Sequence, residues 1–237
     1  LSGNEGNRRD PNQVYDRWAG IYDLTFGKLV HRKLEKALMQ LHLKPGDRVL
    51  DVGVGTGASM GYYPRDVTVI GIDLSEGMLR QAMERRDTDR LSNCHLVCGD
   101  AMLPPFATQS FDHIVMAHTI SVVPDPAATL LWASRLLRPN GKLVLINHFL
   151  SECKPIRMFI KALNPICLKL GWRSDLSLSD VLAGTDLELD YFFRQQLVDM
   201  WQIVVLRHPR PGEQIDPTLA SRATEVATAS GQPHLSV

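Results

Sequence analysis

The sequence predicts an α/β fold with a doubly wound, mostly parallel sheet, on three observations. Five short β-branched runs alternate with helical stretches between Asp47 and Phe149, as expected of buried parallel strands covered on both faces. A glycine-rich loop follows the first run directly, and the next two runs end in acids. Two later apolar runs, Leu187 to Phe193 and Trp201 to Leu206, read as an antiparallel pair closing the sheet edge.

Composition narrows the class. In 237 residues, 44% are hydrophobic and 22% charged, which is ordinary for a folded domain and excludes disorder of the whole. Twenty-six basic residues balance 26 acidic ones, which argues against a dedicated nucleic-acid binder. No apolar run reaches the length of a spanning helix. Leu1 to Arg9 lacks the apolar centre of a signal peptide, and a first residue other than Met reads as a trimmed start. Cys94 and Cys98 bracket His95 without a second half-site, so no metal centre is predicted and the setting reads as reducing and cytoplasmic.

Taken in order, residues 1–12 are polar and predict a flexible lead. Residues 13–43 predict a helical lid: Leu29, Val30, Leu34, Ala37, Leu38 and Leu41 recur at helical spacing, with Lys28, Arg32, Lys33 and Lys36 as a basic opposite face. Pro45-Gly46 ends it. Strands follow at Arg48 to Val52, Val67 to Ile72, His95 to Cys98, Phe111 to Met116 and Lys142 to Asn147, with helices at Ser75 to Arg86 and Pro126 to Leu137 and a turn at Pro139-Asn140-Gly141. Residues 151–175 predict a basic, apolar, Pro-interrupted cap, with no acid between Glu152 and Asp175. The domain is expected to end at residue 207, with 208–237 as a tail.

The loop Gly53-Val54-Gly55-Thr56-Gly57 has glycine at every second position, letting backbone amides approach a ligand closely. Asp73, about twenty residues on, ends the second strand where an acid accepts hydrogen bonds from ribose hydroxyls. Asp100 ends the third strand, placed to accept from an exocyclic amine such as adenine's. Asp51 precedes the loop and could reach a ligand ammonium or order the loop amides. Acids at consecutive strand ends along one sheet edge describe an adenosine pocket carrying an amino-acid group.

With V-L-D-V-G-V-G-T-G, I-G-I-D, G-D-A, F-D-H-I-V-M and L-R-P-N-G-K-L-V-L-I in this order, residues 44–147 resemble the Rossmann-like class I S-adenosylmethionine-dependent methyltransferases. The resemblance implies S-adenosylmethionine as cofactor, with contacts at Tyr22, Asp51, Gly53, Gly55, Gly57, Asp73, Leu74, Met78, Asp100, Ala101 and His118. Outside that core, the aromatic lead Val14 to Gly27, Ser121-Val122-Val123-Pro124-Asp125-Pro126, Asn147-His148-Phe149 and Gly171 to Leu176 resemble the bacterial phosphatidylethanolamine N-methyltransferases of the Rhodobacter and Sinorhizobium type. That family usually has Glu where this chain has Asp51. The resemblance implies an aminolipid substrate, phosphatidylethanolamine, methylated at its amine. Ornithine lipid or a soluble small molecule such as a quinone precursor are the alternative acceptors, and a non-catalytic protein that binds the cofactor or the membrane is the alternative of another class. Residues 151–175 fit a segment lying on an anionic membrane surface, which implies a peripheral position on the inner face of the cytoplasmic membrane. An ammonium must lose a proton before it can attack a methyl group, and Tyr15, Tyr22, His118 and His148 are the candidates to accept or relay it.

Overall fold

Residues that alternate between two apolar faces, each run ending in glycine or a polar group, leave the chain one economical arrangement: a sheet with helices on both sides. The computed structural model describes residues 27–150, 154–169, 172–194 and 201–210. Seven strands, β1 (Arg48–Val52), β2 (Thr68–Asp73), β3 (Cys94–Cys98), β4 (Phe111–Ala117), β5 (Leu137–Asn147), β6 (Glu188–Arg194) and β7 (Gln202–Arg207), form one sheet. Their order is β3-β2-β1-β4-β5-β7-β6. The first five are parallel, and β7 inserts between β5 and β6, antiparallel to both. The doubly wound expectation and the antiparallel C-terminal closure both hold.

Alternation within the strands divides the core. On one face Val49, Val69, Val115, Val144, Ile146, Ile203 and Val205 pack under α1 (Gly27–Met39) and α2 (Glu76–Thr88) through Leu34, Leu38, Leu79 and Ala82. On the other, Leu50, Ile114, Met116, Leu143, Leu145, Val204 and Leu206 pack under α3 (Pro126–Leu136) and α5 (Leu178–Leu182) through Leu130, Ala133 and Val181. A longer helix, α4 (Lys154–Lys169), falls within the predicted basic cap and carries Pro165 inside it. Its loop return is held by Asn164 Oδ1, which accepts from the Ser174 amide at 3.0 Å and its hydroxyl at 3.1 Å.

Local signals set the helix starts. Ser75 caps α2 by accepting from the Met78 amide, and Asp125 caps α3 by accepting from the Ala128 amide ahead of a first-turn proline. The predicted turn at Pro139-Asn140-Gly141 is instead a bulge inside β5: the pairing with β4 slips between Phe111↔Leu137 and His113↔Lys142. Arg138 holds the slip, its guanidinium 2.6 Å from Asp112, whose other oxygen accepts from the Arg48 amide.

Residues 1–26, with Tyr15 and Tyr22, lie outside the described residues, so of the expected lid only α1 is seen. Lys33, assigned by spacing to a solvent-facing basic stripe, is buried. It lies four residues before Ala37, hence on the helix's packed face.

Phe111 is fully buried at the start of β4, edge-on to Phe106 with ring centroids 5.2 Å apart. Phe111→Ala is expected to cost about 3–5 kcal/mol, read as a lowered urea midpoint. Leu103→Ala, at an exposed loop position, is expected to change stability by less than about 0.5 kcal/mol.

Candidate functional site

Parallel strands all deliver their carboxyl ends to one edge, and the ligand crevice of such sheets lies there. At that edge the chain leaves β1 through the glycine loop, and the loop is pinned to the end of β2. The Gly53 and Val54 amides both donate to the Ile72 carbonyl, at 2.8 and 3.2 Å. Asp73 carries the pinning further: Oδ2 accepts from the Gly55 amide at 2.8 Å and Oδ1 from the Ser75 amide at 2.9 Å. One carboxylate thus joins the loop to the start of α2.

The three glycines have different causes. Gly53 has φ +70°, and a Cβ there would collide with the Thr119 hydroxyl, which donates to the Val52 carbonyl at 2.7 Å. Gly57 is held close against Met60 and Ala82. Gly55 has φ +54°, but a Cβ there would meet nothing nearer than the Gly53 carbonyl oxygen at 4.0 Å. It leaves an open cradle lined by backbone.

The other predicted cofactor residues are spread along the same edge. Leu74 is exposed, and Met78 is half-buried on the first turn of α2. Asp100 is exposed, with Oδ1 accepting from the Met102 amide at 2.8 Å, and Ala101 packs against the core beside Val97 and Phe106. Asp51 faces away from solvent: it is buried beneath the loop, and the Tyr63 hydroxyl donates to its Oδ2 at 2.9 Å. Burial pushes its carboxyl up to about 6, against the pull of the Ser59 and Tyr63 hydroxyls.

Beyond β4 and β5 lie the two predicted histidines. His118 adopts φ +62°, rare for a residue with a Cβ, and its amide donates to the Ile146 carbonyl at 2.7 Å. Its ring stands edge-on to Trp201 at 5.3 Å, and its buried Nε2 meets no hydrogen-bond partner among the described residues. Burial first, then the neighbouring His148 and Lys33, push it down to about 4. His148 Nε2 lies 2.8 Å from the Arg173 carbonyl. A carbonyl only accepts, so that nitrogen carries the proton and Nδ1 is the basic one. Burial holds His148 below the ordinary imidazole value, and its ring stands edge-on to Trp172 at 4.8 Å.

Five contributors escaped the sequence reading. Thr119 and Tyr63 support the loop from below. Asn147 is fully buried at the end of β5, where its amide nitrogen donates to the His148 carbonyl and its Oδ1 has no partner among the described residues. Lys33 and Trp201 meet beside His118: Lys33 Nζ donates to the Trp201 carbonyl at 3.2 Å and sits 5.1 Å from the ring centroid. The one available signal was the four-residue step from Lys33 to Ala37.

Above this edge α4 exposes Met158, Leu163 and Leu168 while burying Cys167. No helix among the described residues is long and apolar enough to cross a membrane.

Comparison with known proteins agrees with this geometry. Residues 50–145 match a methyltransferase domain family. The chain is 37% identical over 179 residues to a phosphatidylethanolamine N-methyltransferase of Cereibacter sphaeroides, covering 75% of this chain and 87% of that one. It is 31% identical over 156 residues to a demethylmenaquinone methyltransferase of Staphylococcus saprophyticus, covering 62% of this chain and 65% of that one. The crystal structure of a SAM-dependent methyltransferase from Aquifex aeolicus superposes with a TM-score of 0.60 at 21% identity, over 83% of this chain and 97% of that one.

The Asp51 carboxyl rises from an ordinary 3.8 to about 6 on folding, so the native state holds its proton more tightly than the unfolded chain does. Its contribution to stability is full below pH 3.8 and is lost as pH rises to about 6. Asp51→Asn is expected to remove that downward component, so urea unfolding between pH 4 and 6.5 should show a flatter or rising trend than in the parent chain. Gly53→Ala is expected to destabilise by at least about 1 kcal/mol through the clash with Thr119 and the positive φ, whereas Gly55→Ala should weaken cofactor binding more than folding.

Proposed function

The chain belongs to the class I S-adenosylmethionine-dependent methyltransferases, and on that premise we propose that it methylates the amine head group of phosphatidylethanolamine. What carries this reading is the extent of the likeness to the Cereibacter enzyme, which spans 179 residues and so exceeds the stretch 50–145 shared with methyltransferase domains at large.

The residues present suit the cofactor. Open space at Gly55 leaves room for a group against the loop backbone, and Asp73 would take the ribose hydroxyls. Asp100 and Ala101 would frame the adenine, with Leu74 and Met78 beside it, and Gly53 to Gly57 would receive the amino-acid part. S-adenosylmethionine, when bound, supplies a methyl group activated by its sulfonium. The chain's own part is to orient the acceptor nitrogen, exclude water and remove a proton from the ammonium.

The histidines divide that work by their basicity. A ring at about 4 holds a proton poorly at neutral pH, so His118 orients the amine by accepting an N–H at Nε2 rather than storing the proton. His148, fixed through Nε2 to the Arg173 carbonyl, offers Nδ1 as the relay. Tyr15 and Tyr22 would complete the pocket from the N-terminal segment, where their rings suit a nitrogen that gains positive charge. Exposed Met158, Leu163 and Leu168 on α4, among lysines and an arginine without an intervening acid, suit contact with an anionic leaflet. That would place the enzyme at the inner face of the cytoplasmic membrane.

The direct test is transfer of labelled methyl groups from S-adenosylmethionine to vesicles holding phosphatidylethanolamine, ornithine lipid or neither. Label is expected in methylated phosphatidylethanolamines. Label confined to ornithine lipid, or to a soluble amine, would overturn the acceptor. His148→Ala is expected to lower kcat by about 10²-fold or more while cofactor affinity, measured by calorimetry, changes less than about threefold.

A further inference from the structure

We propose that Lys33, on the N-terminal helix α1, is a positioning residue of the acceptor site: it fixes the Trp201 indole and through it the His118 ring. The inference rests on the reading of His118 as an acceptor-side group. Its basis is a contiguous stack of three side chains drawn from three separate parts of the chain. Lys33 Nζ lies 5.1 Å from the Trp201 ring centroid and donates to the Trp201 carbonyl. Both contacts hold one residue, at backbone and ring, and so help to fix where the indole stands. The His118 ring meets that indole edge-on at 5.3 Å.

Position adds an electrostatic role. Lys33 is 3% exposed, so its charge acts through protein rather than water. Among the described residues, the groups that bear on His118 are Lys33 from α1, His148 just after β5 and the Trp201 ring ahead of β7. A buried cation beside the acceptor nitrogen disfavours its ammonium form, in the way a neighbouring cation lowers the basicity of a catalytic amine. Lys33 therefore adds to the burial and the His148 neighbour that hold the imidazole neutral, and would disfavour protonation of an amine brought beside it. It also makes docking of α1 a condition for a finished site, because the cation arrives with that helix.

His118 ring resonances of the full chain, without added ligand, provide the test, with the Cε1–H signal assigned by its loss in His118→Gln. Trp201→Leu defines the position of that signal without the indole ring current. Lys33→Met is expected to move the signal toward that position and to raise the His118 titration midpoint by at least about 0.5 pH. Lys33→Arg, which keeps the charge and can still lie over a ring, should leave both near the parent values. In methyl transfer, Lys33→Met should lose roughly tenfold or more in kcat with cofactor affinity within about twofold, and its kcat profile should move to higher pH. Should Lys33→Met fail to fold, Lys33→Gln carries the same expectations. A His118 signal and midpoint unmoved by loss of Lys33, or moved equally by Met and Arg, would overturn the inference. Label appearing only in a soluble acceptor would overturn the lipid reading and leave the His118 measurements as they stand.

Discussion

The attachment of the glycine loop to the end of β2 is the constraint on which the rest of the site depends. Leaving a buried strand, the chain must satisfy its first free amides without water, and the Ile72 carbonyl and Asp73 carboxylate do so for residues 53 to 55. This geometry leaves Gly53 pressed against Thr119, whose hydroxyl closes the gap between β1 and β4. It also sets the start of α2, because Asp73 takes the Ser75 amide while Ser75 caps the helix. Methyl-donor binding on such an edge needs few committed side chains, since the backbone itself forms most of the surface.

A second set of contacts ties the N-terminal helix to the antiparallel strands. Lys33 reaches the residue before β7, Lys36 lies over the Phe193 ring of β6, and Lys142 of β5 donates to the Gln40 carbonyl just after α1. At the far end of these strands Lys142 pairs with Asp190, and Arg207 with Asp190 and Glu188. Half-buried ion pairs of this kind contribute more to register than to net stability. Here they join β5, β6 and β7 beneath α1. The residues proposed for the acceptor side are therefore drawn from segments far apart in the chain, whereas most of those proposed for the cofactor lie between residues 51 and 101.

Much of the fold was legible because its signals are local. Alternation in β1, β4 and β5, the Ser75 and Asp125 caps and the antiparallel pair at the C-terminal edge each rest on a few neighbouring residues. The bulge at Pro139 to Gly141 was read as a turn because proline and glycine punctuate both, and only the slip against β4 separates them. In the site, Asp73 and the three glycines could be singled out by motif and spacing, but their separate causes could not. Gly53 answers to Thr119, which lies 66 positions further along the sequence numbering. Asp51 could be read as reaching a ligand ammonium or ordering the loop amides, and its hydrogen bond with Tyr63 beneath the loop became visible only with burial.

By itself the sequence determined the α/β class, the order of strands and helices and the methyl donor, because each depends on periodicity or on a contiguous motif. Tertiary structure alone decided that Lys33 is buried rather than solvated, that the Trp201 ring stands edge-on to His118, and that burial lowers the His118 imidazole to about 4. Burial and electrostatic coupling are properties of neighbours in space. No spacing along the chain carries them until the sheet brings α1, β4 and β7 to one edge.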